Sequence, residues 1–342
     1  MNKVILVTGG VGFVGNAFCK LILKERPDWK VINVDLCTYV TNLKTIEEEL
    51  KNPNYMFLKA DIRDRDAIFE IFRKALPDYV VNFAAESHVD RSLKDPKLFL
   101  DTNVTGTRIL LEASLKYGVE RFHQVSTDEV YGDFPLENKR SAFDEKAELR
   151  PSSPYAISKA TADLLALHFY HNNGLPVTIS RAANTYGPYQ FPEKLIPLTI
   201  YRAMLRQSIP LYGDGSNIRD WIHVEDHARG ILAILEKGKP GQVYNLGAKS
   251  EISNLNLVKQ IIGYMKKPES LITFVKDRPE HDLRYGVSAQ KVKALGWKPT
   301  VKFKDGLIST IKWYIKNSDW LGGCLNEEYL SWLKDNYENR EP

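Results

Sequence analysis

Two clusters of reactive side chains dominate this chain. The run Ser126-Thr127-Asp128-Glu129-Val130-Tyr131 follows the apolar stretch Arg121-Phe122-His123-Gln124-Val125, which reads as a strand. It places a hydroxyl beside two adjacent carboxylates where a buried strand ends. Adjacent acids are an unusual choice for a surface turn, and in open parallel sheets chemistry happens just past the carboxyl ends of strands. Further on, Tyr155-Ala156-Ile157-Ser158-Lys159 sets a phenol and an amine one helical turn apart on one face. That pair suits proton removal from an alcohol while its hydride departs. The Lys159 ammonium can depress the pKa of Tyr155 and make a phenolate base, with Thr127 holding the same hydroxyl. Alone, a Tyr-x-x-x-Lys spacing carries little weight, because both residues are common on helices. Its weight comes from what accompanies it.

The first accompaniment is at the start of the chain. Lys3-Val4-Ile5-Leu6-Val7-Thr8 is a continuous apolar run, as expected of a strand buried on both faces. Gly9, Gly12 and Gly15 then recur every third residue before a helical segment to about Glu25. The first glycine permits a tight turn, the second lets backbone approach a pyrophosphate, and the third packs helix on strand. The helix start offers free N–H groups and a positive dipole end to phosphates. A second strand, Lys30–Val34, ends at Asp35. An acid there accepts hydrogen bonds from ribose hydroxyls and repels a 2′-phosphate, so NAD is expected rather than NADP. A third strand ends in Asp61-Ile62, a pair suited to covering an adenine. A fourth ends in Ala84-Ala85-Glu86-Ser87-His88-Val89-Asp90-Arg91-Ser92, where small residues let a cofactor lie against the backbone.

Composition sets the outer bounds. The chain has 342 residues, enough for one large domain and a smaller partner. Its net charge of +4 comes from 47 basic and 43 acidic residues without a basic block, which argues against nucleic acid as the main partner. Cys19, Cys37 and Cys324 form no CxxC pair and read as free thiols of a reducing compartment. No apolar run approaches membrane-spanning length, so a soluble, cytoplasmic protein is expected, with no membrane partner. His223 and His227 lack the glutamate placement of a zinc-protease helix, and His168 and His171 lack a third ligand; no metal is expected.

Strand and helix alternate from residue 3 to about 180, which implies an α/β fold with a doubly wound parallel (Rossmann) sheet and right-handed crossovers. The expected division is a dinucleotide-binding domain over 1–180, joined by part of 220–250, and a smaller mixed α/β substrate-binding domain over 181–342. In the latter, Pro210–Gly215 and Ile218–Trp221 read as a short hairpin. A further strand is expected at 242–246 and another at 271–275, with the remainder helical. Helical patterns over 96–117 and 155–172 carry Leu98, Leu111, Leu165 and Leu167, a candidate surface for a homodimer.

The motifs together resemble a known family. Thr8–Gly15 (TGGVGFVG) with Tyr155–Lys159 is similar to the extended short-chain dehydrogenases/reductases. Ala84–Ser92 (AAESHVDRS), Ser126–Asp133 (STDEVYGD), Tyr186–Pro197 (YGPYQFPEKLIP) and Ile218–Ala228 (IRDWIHVEDHA) resemble, within that family, the nucleotide-sugar 4,6-dehydratases, nearest those acting on dTDP-glucose. The resemblance spans nearly the whole chain, and the paired acids mark dehydratases off from epimerases on the same scaffold. It implies a lyase: oxidation at C4 of a nucleotide hexose, loss of water across C5–C6, and hydride return to C6, with NAD retained throughout and a 4-keto-6-deoxy sugar as product. Glu129 is then the base at C5 and Asp128 the acid for the departing C6 hydroxyl. Proximity should hold their protonation states apart.

The resemblance also implies cofactor contacts from Gly9, Gly12, Phe13, Val14, Gly15, Asp35, Thr38, Asp61, Ile62, Ala84, Ala85, Thr102, Tyr155, Lys159 and Thr185. Ser87, Thr127 and Asn184 are implied at the sugar or its phosphates. Lys194, Leu195, Pro210, Tyr212, Arg219, Asn254, Arg278 and His281 are implied at the nucleotide diphosphate, for which Arg and Lys are natural partners. Two plain alternatives are that Arg219 pairs with Asp220 and that His281 is a surface histidine. The chain departs from the family pattern at Arg181-Ala-Ala-Asn-Thr-Tyr and at Tyr39-Val40-Thr41-Asn42, so UDP-glucose stays open beside dTDP-glucose. A 4-epimerase is the rival enzyme, and a non-catalytic NAD-binding sensor the rival from another class.

Overall fold

The apolar runs form strands because helices cover both of their faces. A computed structural model describes residues 3–134, 142–279 and 281–338. Twelve strands follow in chain order: β1 Val4–Thr8, β2 Lys30–Asp35, β3 Tyr55–Lys59, β4 Tyr79–Asn82, β5 Arg121–Thr127, β6 Val177–Ala182, β7 Asn184–Tyr186, β8 Ile209–Tyr212, β9 Ile218–His223, β10 Gln242–Leu246, β11 Glu251–Ser253 and β12 Ile272–Val275. Seven of them make one parallel sheet in the order β10-β6-β5-β4-β1-β2-β3. Successive residues alternate sides. Ile5 and Val7 pack with Phe18 and Ile22 of the helix Phe13–Glu25 and with Ile231 and Ile234 of Val224–Lys237. Leu6, Val80 and Phe122 face the other way, against Phe72, Leu110 and Ala166 from the helices Arg65–Ala75, Thr107–Lys116 and Pro154–Asn173. The doubly wound fold is as expected. β10, the late strand, lies at the sheet edge beside β6.

Strand order reverses between β1 and β4, the place where such sheets open a crevice at their carboxyl ends. Above it lie a small sheet β11-β9-β7, the pair β12-β8, and the helices Leu195–Met204, Asn254–Tyr264 and Phe303–Lys316. Their aromatic core includes Tyr186, Trp221, Tyr314, Trp320, Tyr329 and Trp332.

Three expectations are corrected. Residues 210–221 are not a hairpin: β8 pairs parallel with β12, and β9 pairs with β7 and β11. The Gly213-Asp214-Gly215 turn redirects the chain to a different sheet, and Gly213 and Gly215 both adopt positive φ (56° and 72°). The 96–117 pattern is not one regular helix. Pro96–Leu100 and Thr107–Lys116 are joined by a π turn over Asp101–Gly106. Finally, Leu111 is fully buried against the sheet, and Leu165 and Leu167 also pack there. The large apolar side chains left exposed in this region include Leu93, Leu100, Leu115, Ile157 and Leu164.

Candidate active site

The glycine turn is built by sterics. Gly9 has φ 71°, and a Cβ on it would strike the backbone nitrogen of Ala84 at the end of β4. A Cβ on Gly15 would collide with the Gly9 carbonyl. Gly12 caps the helix Phe13–Glu25 without a side chain, and no acidic residue sits in the first turn, so the helix start keeps its dipole and N–H groups for an anion. Asp35 closes the turn from β2: its carboxylate accepts from the Val11 N–H (3.0 Å) and the Cys37 N–H (2.8 Å). Burial pushes the Asp35 carboxyl up, against those backbone donors. This cradle fits a dinucleotide whose ribose carries a free 2′-hydroxyl.

A cleft of about 720 Å³ runs from that turn across the ends of β4, β5 and β6. It gathers every residue expected at the cofactor: Gly9, Gly12, Phe13, Val14, Gly15, Asp35, Thr38, Asp61, Ile62, Ala84, Ala85, Thr102, Tyr155, Lys159 and Thr185. Thr127, Asp128, Glu129, Ser87, Asn184 and Lys194 line it too. Arg278 lines a second cavity of about 350 Å³, and Glu129 is the residue the two cavities share.

The remaining expected residues surround these cavities without lining them. Arg219 is buried over the Tyr285 ring (4.2 Å) and donates to the carbonyls of Ile218 and Asp282, not to Asp220, whose carboxylate accepts from Ala248, Lys249 and Ser250. Tyr212 donates to Asp90 (3.0 Å), with the His281 ring against it; His281 is half-buried beside Asp277. Pro210 lies in β8, Leu195 begins its helix, and Asn254 begins another with its Oδ1 buried and unpartnered among the described residues.

The reactive groups are placed by three elements. β5 ends at Thr127, and a tight turn over Asp128–Tyr131 follows, its first N–H groups capped by the Thr127 hydroxyl (Glu129 N, 3.2 Å). Asp128 is 2% exposed, and its carboxyl is pushed well up by burial, then by Glu129 and Asp220. Glu129 is pushed up by burial, but the cations Arg278, Arg219 and Lys194 pull it back. Both carboxyls are thus pushed up, with cations leading the opposition at Glu129 and acidic neighbours adding to the rise at Asp128. Opposite them, the helix Pro154–Asn173 begins on a Ser153 cap whose hydroxyl accepts from Ala156 N (3.1 Å), with Pro154 at the first position. Tyr155 and Lys159 face the cleft one turn apart.

The phenol does not behave as expected. Tyr155 is pushed up, first by burial and then by Glu129, and a hydrogen bond with Thr127 opposes this. Lys159 spends a donor on the Val125 carbonyl (2.7 Å), and burial lowers its pKa to about 8. The amine is anchored to the strand end rather than to the phenol.

Several groups at the site escaped the motif reading. Asn103, in the π turn, donates to Glu86 O (3.0 Å) and to the Ser158 hydroxyl (2.8 Å) and accepts from Glu86 N (2.8 Å), tying the β4 loop to the Tyr155 helix. An Asn beside Thr and Gly inside a helical pattern was the available signal. His227 lines the cleft, bonded to Thr185 (2.9 Å) and held neutral by burial. Buried Glu193, taking a hydrogen bond from Tyr39 (2.9 Å), and Arg91, stacked on that ring (3.7 Å), close the far wall. Among the described residues no group of three or more His, Cys, Asp or Glu could hold a metal ion, and no helix is long and apolar enough to cross a membrane.

Known proteins share this arrangement. A family model described as GDP-mannose 4,6 dehydratase matches residues 6–310. The chain is 42% identical to dTDP-glucose 4,6-dehydratase 1 of Escherichia coli (strain K12), over 98% of this chain and 99% of that protein. It is 45% identical to the dTDP-glucose 4,6-dehydratase of Haemophilus influenzae, over 92% and 98% of the two chains. Among solved structures, the dTDP-glucose 4,6-dehydratase of Streptomyces venezuelae with NAD and dTDP bound superposes with a TM-score of 0.90 at 41% identity, covering 94% of this chain and 100% of that one. The likeness in sequence and fold extends over nearly the full length, and the chain belongs to the nucleotide-sugar 4,6-dehydratases of the extended short-chain dehydrogenase/reductase family.

Proposed function

We propose that the protein is a hydro-lyase that converts dTDP-glucose to its 4-keto-6-deoxy sugar and water, with NAD kept in the cleft across the whole cycle. The observation that carries this is the pair of adjacent acids at the end of β5, lining one cleft with Tyr155 and Lys159. When bound, NAD supplies reversible hydride acceptance, and the cycle is redox-neutral. The glycine turn, the start of the Phe13–Glu25 helix and Asp35 hold its phosphates and ribose; Asp61 and Ile62 lie toward its adenine. Tyr155 takes the C4 hydroxyl proton, positioned through its hydrogen bond with Thr127. The buried phenol needs cationic help to ionise, which Lys159, one turn along the same helix, and the positive charge of bound NAD would supply. A ketone at C4 acidifies C5–H. Glu129, whose rise in pKa is restrained by Arg278, accepts that proton, and Asp128, kept protonated, donates to the leaving C6 oxygen. On this reading Ser87, Asn184 and Lys194 would contact the sugar and phosphates, and Arg219, Arg278, Tyr212, Pro210, Leu195, Asn254 and His281 the nucleotide diphosphate.

This reading divides the chain at about residue 180, with 220–250 returning to the first domain, and pairs two copies through the helices near 96–117 and 155–172. The test uses purified protein, dTDP-glucose and no added cofactor. The expected result is the alkali-induced absorbance of a 4-keto-6-deoxy sugar. A 4-hydroxyl epimer with no such absorbance would overturn the reading in favour of an epimerase, and no sugar change at all would favour a sensor. UDP-glucose in a parallel assay reads the nucleotide preference, since it lacks the base methyl group, worth about 1 kcal/mol, and adds a ribose 2′-hydroxyl.

A further inference from the structure

Behind the reactive amine lies an ion pair with no surface role. Asp163 is fully buried, and its Oδ2 accepts from the Arg181 Nε at 2.9 Å. Arg181, also buried, comes from the penultimate residue of β6, in register with Ser126 on one neighbour and Asn245 on the other. Its guanidinium lies over the Tyr131 ring (4.9 Å), whose hydroxyl donates to Asn245 (2.8 Å). Asp163 follows Lys159 by four residues, as Lys159 follows Tyr155, so the three share one buried helix face. A buried pair of this kind is weak as a stabilising device, because desolvation offsets its attraction. Its placement one turn behind Lys159 suggests another use.

We propose that Asp163 is a positioning residue that keeps the Lys159 ammonium charged and aimed at the reaction site, and that Arg181 keeps Asp163 ionised for that task. The inference rests on the dehydratase reading for its kinetic consequence, not for the ion pair itself. On its own helix Tyr155 precedes Lys159 by one turn and Asp163 follows it by one; Asp128 and Glu129 line the same cleft, and Arg181 pairs with Asp163 behind it. Of these, Asp163 is the group that supports the ammonium against burial. The Val125 carbonyl fixes one N–H but carries no charge. Asp163 is in turn pushed up by burial and brought back chiefly by Arg181.

The experiment compares the wild type, Asp163→Glu, Asp163→Asn/Arg181→Gln and Arg181→Gln alone. The double variant removes both charges, so no unpaired ion stays buried and folding is protected. Lys159 is followed directly by NMR of a ¹³C label at its Cε, assigned by its loss in Lys159→Arg, and turnover of dTDP-glucose is measured against pH in parallel. Lys159 must be charged, so turnover falls as pH rises through its midpoint. In the double variant that midpoint should drop by about one unit or more, and the alkaline limb of turnover should move down with it, a loss of about fivefold or more at pH 8. Arg181→Gln should lower it too, since the deserted carboxyl protonates, whereas Asp163→Glu should leave it near the wild-type value. A folded double variant, or a folded Arg181→Gln variant, with an unmoved Lys159 midpoint would overturn the proposal. If the wild type turned over no nucleotide sugar while the midpoint shifts appeared, the dehydratase reading would fail and the ion-pair assignment would stand.

Discussion

At the scale of single residues, the site is a problem of keeping two neighbouring carboxyls in different states. Burial raises both, but Arg278 heads the cations that restrain Glu129, while Glu129 and Asp220 push Asp128 further up. Asp128→Asn keeps the shape and removes the proton donor. Dehydration should slow by about 10²-fold or more, while C4 oxidation stays visible as reduced-nicotinamide absorbance. Equal loss of both steps would contradict the acid role. The same variant bears on stability. A carboxyl whose folded pKa lies above its unfolded value destabilises the native state at pH above the unfolded pKa, and that cost vanishes as pH falls below it. At pH 7, Asp128→Asn should therefore be more stable than wild type, by about 1 kcal/mol or more, as a rise in denaturant midpoint; a fall would mean that the ionised form is favoured inside. Arg278→Gln tests the other acid. Glu129 works only when ionised, so its folded pKa sets the acidic limb of kcat. Removing the cation lets that pKa climb, and the limb should shift to higher pH at saturating nucleotide sugar. An unmoved limb would detach Arg278 from Glu129.

At the scale of elements, the structure reveals what holds these groups in register. Asn103 sits in a π turn, an irregularity often found at functional sites, and makes three hydrogen bonds joining the β4 loop to the Tyr155 helix. Asn103→Ala leaves a buried N–H, a carbonyl and a hydroxyl short of partners. The expected cost is about 2–3 kcal/mol in chemical denaturation, with a fall in kcat because Tyr155 loosens. Unchanged stability would show that water replaces the amide. The contrast between what the motifs disclosed and what they did not has a physical basis. Gly9, Gly12, Gly15 and Asp35 build one turn by short local geometry, so spacing along the chain reveals them. Thr127, Tyr155 and Lys159 are likewise fixed by one strand end and one helical turn. Arg91, Glu193, Tyr39 and Asp163 act through partners on other elements, and no local spacing records such contacts. The supposed hairpin at 210–221 failed for a related reason. A glycine turn states that the chain reverses, but β8 and β9 each find a partner elsewhere in sequence, and only the packed core decides that. Leu111 was taken for an outer residue because a helix with apolar residues on several faces does not say which face meets the sheet.

At the scale of the molecule, the helix that carries the Tyr–Lys pair has two jobs on two faces. Tyr155, Lys159 and Asp163 face inward, while Ile157 and Leu164 point out, 45% and 58% exposed. Leu93 and Leu100, from the segments packed beside it, are exposed as well, at 40% and 45%. Single exposed leucines are ordinary, but four on neighbouring segments form the kind of continuous apolar surface that a second copy covers. A two-fold pairing brings the same patch of each copy together, so one substitution acts twice. Leu164→Glu places two facing carboxylates in an apolar interface, a cost of several kcal/mol that surface contacts elsewhere do not offset. Sedimentation should then show wild type as a dimer and the variant as a monomer at micromolar concentration. Because the helix carries the reactive pair on its other face, the monomer should also lose thermal stability and some turnover. Identical sedimentation of the two proteins would remove this face as the contact, and a monomeric wild type would remove the dimer itself.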